Sequence, residues 1–84
     1  TSPAIRASMV RIGTPLAVND PELELRLVAL AYDHTPLVKL QMLRSLPLLP
    51  SPRAAEAFRK LLSASLNSSD PKLKSFAESL QKAP

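Results

Sequence analysis

The chain has no cysteine, one glycine and three aromatic residues (Tyr32, Phe58 and Phe76) among its 84 positions. Without thiols there can be no disulfide, no thiolate nucleophile and no zinc–thiolate centre. Three aromatics are too few to build a base-stacking platform. Hairpin turns depend on glycine and on Asn-Gly pairs, so a chain with a single glycine and no such pair argues against a sheet. No apolar run approaches the roughly 20 residues that span a bilayer, and no basic-then-apolar leader is present. A membrane partner is therefore not expected.

What is present points to helices. Leu and Ala dominate while Val, Ile, Thr and Tyr are few, and hydrophobic residues make up 45% of the chain against 21% charged. That balance suits a folded all-α domain rather than a disordered segment. The net charge of +4 makes an acidic partner conceivable. Eighty-four residues allow one small domain, residues 1–84. Because the chain opens on Thr1 and closes on Pro84, it is expected to be a fragment of a longer polypeptide.

Nine prolines provide the punctuation. Five follow a residue suited to cap a helix: Ser2-Pro3, Asp20-Pro21, Thr35-Pro36, Ser51-Pro52 and Asp70-Pro71. A Ser, Thr or Asp side-chain oxygen accepts a hydrogen bond from an orphan amide of the first turn. Proline at the next position loses nothing there, because its missing N–H had no intrahelical partner. The pairs predict helices near 3–13, 21–33, 36–46, 52–66 and 71–82. Thr14-Pro15 is read as a stop for the first helix, and Pro47 and Pro50 as a stop for the third.

Each predicted helix carries apolar residues at spacings of three and four, which place them on one face in need of a neighbour. The sets are Ile5, Met9 and Ile12; Leu23, Leu27 and Leu30; Val38, Met42 and Leu46; Ala54, Phe58, Leu61 and Leu62; and Leu73, Phe76, Ala77 and Leu80. Met9 and Met42 could line an adaptable binding groove, but beside Ile and Leu at helical spacing they read as core.

The odd-numbered helices open alike, as Ser-Pro-Ala-Ile-Arg (2–6), Thr-Pro-Leu-Val-Lys (35–39) and Asp-Pro-Lys-Leu-Lys (70–74). Residues 5–11, Ile-Arg-Ala-Ser-Met-Val-Arg, also align with 38–44, Val-Lys-Leu-Gln-Met-Leu-Arg. A two-helix period of 33 to 35 residues is the signature of an α-solenoid, in which stacked pairs share a continuous core. The pattern resembles the short HEAT-like repeats of the phycobilisome-lyase type, whose first helix opens with Asp-Pro-x-Val-Arg. The resemblance covers nearly the whole chain, as repeats at about 1–34 and 35–69 and a half-repeat at 70–84. The family's glycine near the end of the first helix remains only as Gly13, and the Leu46–Pro50 link is longer than usual. The tetratricopeptide pattern, with a similar period, fits less well because its Trp, Gly and Tyr positions are absent. The resemblance implies a right-handed α-solenoid of about five antiparallel helices, two and a half repeats in all.

Little in the sequence suggests catalysis. His34, the single histidine, lies in the Asp33-His34-Thr35-Pro36 link. It could act as a general base, or form half a metal site with Asp33, but a catalytic centre needs a positioned set of groups, so a polar linker beside a cap is the preferred reading. Asp20, Glu22 and Glu24 are read as negative charge at a positive helix N-terminus rather than a carboxylate cluster. The serines have no nearby histidine to activate them, and no glycine-rich loop could cradle a phosphate. The chain is not expected to be an enzyme or to hold a cofactor or metal.

The basic residues Arg6, Arg11, Lys39, Arg44 and Lys74 are the candidate binding surface. They recur at equivalent helix positions, so stacking would align them into a ridge able to track phosphates. Alternatively, as the resemblance implies, the basic residue after the apolar one pairs with acidic or carbonyl groups of the next repeat. The expected function is a non-catalytic scaffold or protein-interaction module with a protein partner. A nucleic-acid-binding solenoid and an accessory segment of a multidomain enzyme are the alternatives. The helix at 71–82 opens a repeat without a second helix, so self-association or continuation of the parent chain is expected there.

Overall fold

The computed structural model describes residues 2–82. They form five α-helices and two short 3-10 turns, with no strand among the described residues. The helices are α1 (Pro3–Ala17), α2 (Pro21–Ala29), α3 (Pro36–Ser45), α4 (Pro52–Leu66) and α5 (Pro71–Lys82). One 3-10 turn, Leu30–Tyr32, follows α2, and the other, Leu46–Leu48, follows α3.

All five helices start at a proline that follows Ser, Thr or Asp, and four of these starts are capped by that residue's side chain. The Oγ of Ser2 accepts from the Ile5 amide at 3.2 Å, Asp20 Oδ1 from Leu23 at 3.1 Å, Ser51 Oγ from Ala54 at 3.0 Å and Asp70 Oδ1 from Leu73 at 3.0 Å. Thr35 is the exception and makes no side-chain cap bond. Its hydroxyl is used elsewhere, accepting from Arg6 Nη2 at 3.1 Å.

Thr14-Pro15 does not stop the first helix, which runs through Pro15 to Ala17. Proline costs a helix one ladder bond and a steric clash four residues back. Here both fall in the last turn and on the exposed side, where Arg11 and Pro15 meet solvent. Thr14 faces the opposite way, is buried, and donates its hydroxyl to the Val10 carbonyl at 2.6 Å. Pro47 and Pro50 do end α3, with Pro47 inside the 3-10 turn that succeeds it.

α1 lies against α2 and α3, and α3 lies between α1, α4 and α5. α4 packs against α5 and, over a smaller contact, α2. The Cα envelope measures 32 × 31 × 16 Å, and a 16 Å thickness accommodates two layers of helices about 10 Å apart. The core centres on α3: Val38, Met42, Leu43 and Leu46 are at most 1% exposed. Around them sit Val10 and Ala17 from α1, Leu27 and Val28 from α2, Ala54, Ala57 and Leu61 from α4, and Leu73 and Ala77 from α5.

Candidate functional site

The largest departure from the sequence reading concerns α1. Ile5, Met9 and Ile12 are not core; they are 53%, 54% and 60% exposed, and Leu16 on the same face is 66% exposed. The buried face of α1 is instead Ala7, Val10, Thr14 and Ala17. Both sets keep spacings of three and four, so periodicity identifies two stripes without ranking them. Small residues let α1 sit close against α3, and the bulky stripe is turned outward. Met42, by contrast, is core as expected, at 1% exposure.

The outward stripe forms one wall of an apolar groove. Leu23 and Leu27 of α2 form the other, and Ser8 and Gly13 leave the floor low; the open volume is about 500 Å³. Gly13 is close to α2, since a Cβ added there would meet Leu27 Cδ1 at 3.4 Å. Arg11 is the one exposed charge on α1, because Arg6, its other charged residue, is partly covered.

On α5 the chemistry is reversed. Apart from Pro71, every exposed position of α5 is polar: Lys72, Lys74, Ser75, Glu78, Ser79, Gln81 and Lys82. Leu73 and Ala77 are buried, and Phe76 and Leu80 are half-buried. The apolar side of α5 is thus only partly covered, as expected, and the more exposed apolar stripe is that of α1.

The five basic residues have separate environments. The Arg6 guanidinium is held by Nε to Asp33 Oδ2 at 2.8 Å and by Nη2 to Thr35 Oγ1 at 3.1 Å. The same Asp33 accepts the Thr35 amide on Oδ1 at 2.8 Å. These bonds hold the Asp33 carboxyl below its ordinary pKa; the Thr35 backbone N–H contributes most, its hydroxyl next, and Arg6 adds to both against an opposing effect of burial. Arg6 thus ties the start of α1 to the turn that launches α3.

Arg44 lies over the Phe76 ring, its guanidinium carbon 5.1 Å from the centroid, and so links α3 to α5 by a cation–π contact. Lys39 is half-buried beside a concavity of about 300 Å³ that it shares with Tyr32, His34 and Lys60. Arg11 and Lys74 are exposed. Lys60 and Phe76, which the basic-residue pattern did not include, are thus neighbours of Lys39 and Arg44.

The acidic residues do not form a cluster. Asp20 caps α2, and exposed Glu22 pairs with Arg26 at 3.6 Å. Glu24 is buried and accepts the Ser51 hydroxyl at 2.6 Å, which joins α2 to the cap of α4. Among the described residues, no three His, Cys, Asp or Glu side chains are placed to hold a metal. No described helix is long and apolar enough to cross a membrane.

No protein-family model, curated protein or solved structure matches the chain.

Proposed function

We propose that this chain is a non-catalytic protein-interaction module: a short right-handed α-solenoid of HEAT-like repeats whose α1–α2 end receives a protein partner. The observation that carries the reading is the unequal polarity of the two ends. Repeat stacks need polar outer faces on their terminal helices to avoid association. α5 has such a face; α1 has Ile5, Met9, Ile12 and Leu16. Contiguous exposed apolar surface of this kind marks interaction sites.

Two features support the repeat reading. At a shift of 33 residues Ile5, Met9, Ile12 and Leu16 correspond to Val38, Met42, Ser45 and Leu49, all at most 6% exposed. The open face of α1 therefore corresponds to a face of α3 that is covered. The turns entering α3 and α5 also share one bond: Thr35 N–H donates to Asp33 Oδ1, and Asp70 N–H donates to Ser68 Oγ at 3.0 Å. The ion pair differs between the two, since Lys39 and Ser68 stand where Arg6 and Asp33 stand one repeat earlier.

Nucleic acid is the less favoured ligand, because Arg6 is engaged by Asp33 and Arg44 by the Phe76 ring, which leaves fewer of the five cations to phosphate. The test is affinity capture from native extract with the wild-type chain and with Ile12→Glu and Lys74→Glu. A stoichiometric protein partner lost with Ile12→Glu and kept with Lys74→Glu is the expected result. A partner indifferent to Ile12→Glu, or salt-sensitive duplex DNA binding lost with Lys74→Glu, would overturn it.

A further inference from the structure

The residues exposed along α1 have an internal symmetry. Ile5, Met9, Ile12 and Leu16 are separated by four, three and four residues, a series that reads the same in both directions. An antiparallel copy of the helix laid on this face, with its twofold axis between Val10 and Arg11, sets Ile5 opposite Leu16 and Met9 opposite Ile12. The small residues Ser8 and Gly13, which lower the groove floor, then also face each other and allow close approach. A twofold interface must be self-complementary in this way, since each residue meets its counterpart's partner in reverse.

A head-to-tail contact has no such match. It would bring the apolar stripe of α1 against the exposed surface of α5, which carries Lys72, Lys74, Ser75, Glu78 and Lys82. That pairing removes charged groups from water with no apolar gain on one side.

The area also fits. Four side chains exposed by 53–66% leave on the order of 400 Å² of apolar surface in one strip, the size of the functional patches of monomeric proteins. With the polar margin that flanks it, a twofold contact covers roughly 600–800 Å² per protomer, the lower edge of a specific interface.

We propose that the occupant of the α1–α2 groove is a second copy of this chain, docked antiparallel through α1 to give a closed twofold dimer. The inference rests on α1 being the open end of an interaction module and names the partner. Contacts at this lower edge are weak and transient, so reversible association is expected, with a midpoint on the order of 10–100 µM. Because the contact is apolar, salt should not weaken it.

Sedimentation equilibrium of the full 84-residue chain from about 5 to 500 µM tests this. The expected result is a monomer–dimer equilibrium that stops at two copies. Met9→Glu should raise the midpoint at least tenfold without changing helicity, and Lys74→Glu should leave it unchanged. Cysteine probes keep the test independent of Met9→Glu folding properly, because the chain has no native thiol. Met9→Cys should give a covalent dimer with a short bismaleimide, and Ser79→Cys on α5 should not. A single 9.1 kDa species at 500 µM, a mass that keeps rising beyond two copies, or a dimer cross-linked through Ser79→Cys would overturn the proposal. If the chain stays monomeric while Ile12→Glu still abolishes capture of a different protein, the second copy is ruled out as occupant and the module reading survives.

Discussion

Met9 and Met42 stand at matching points of two sequence segments that align at a shift of 33 residues, and the fold gives them opposite fates, which makes the pair a quantitative test. Met42 is 1% exposed at the centre of α3. Truncating it to alanine removes three buried side-chain heavy atoms, worth about 2 kcal/mol in transfer alone. The cavity left behind brings the total to about 2–4 kcal/mol, depending on how far its neighbours relax. Met9 is 54% exposed. Its truncation forfeits about half the transfer contribution at most, leaves no cavity, and changes helix propensity little, so about 0.5 kcal/mol is expected.

Equilibrium urea unfolding followed by ellipticity at 222 nm reads both values, at concentrations low enough to keep the chain monomeric. For a domain of this size, Met42→Ala should also lower the Tm by about 10–25 °C, against a few degrees for Met9→Ala. Met42→Leu, which nearly conserves volume, should cost less than about 1.5 kcal/mol. If Met9→Ala and Met42→Ala agree within about 1 kcal/mol, the assignment of α1 as an uncovered helix is wrong.

Other sites give further tests. Gly13→Ala should stabilise the chain by about 0.5–1 kcal/mol in urea melts, because the new methyl meets Leu27 at an ordinary 3.4 Å while the helix gains a better former. Ser65 is 1% exposed and its hydroxyl has no hydrogen-bond partner among the described residues, so Ser65→Ala should be neutral or stabilising by up to about 1 kcal/mol, and a destabilisation of more than about 1 kcal/mol would reveal a partner. Asp33 has a lowered folded pKa, so its contribution is fully present above the ordinary value of 3.8 and is lost as pH falls through the lower folded value. The stability difference between wild type and Asp33→Asn should accordingly be constant from neutrality to about pH 5 and shrink below about pH 4; a difference that persists unchanged at pH 2 would contradict the hydrogen-bonded carboxylate.

The helix starts were legible because cap and proline act locally: each pair fixes one residue's φ and satisfies one amide, whatever packs nearby. Thr35 marked a start correctly, yet its hydroxyl went to Arg6, a residue 29 positions away that no local rule weighs. Pro15 was misread for a related reason. Its cost depends on which side of the helix the freed Arg11 carbonyl faces, and that is set by tertiary packing.

The α1 face failed because the sequence holds two stripes and hydrophobicity favours the wrong one. Ala7, Val10, Thr14 and Ala17 are smaller and include a hydroxyl, but close approach to α3 is what selects them. Thr14, able to satisfy itself on the Val10 carbonyl, was the available clue. The basic residues were visible as a repeat, but not their partners: Asp33 lies across the link and Phe76 on a later helix.

The stacking order of the helices is tested most directly by a distance between α1 and α5. Spin labels on Arg11→Cys and Ser75→Cys, both exposed positions, should be read by pulsed dipolar spectroscopy with labelled chains diluted into unlabelled ones. A layer in which α3 separates α1 from α5 predicts a separation centred near about 25 Å, two helix spacings plus the label arms. A distribution centred below about 15 Å would put α1 and α5 side by side in a closed bundle, and would contradict the proposed solenoid.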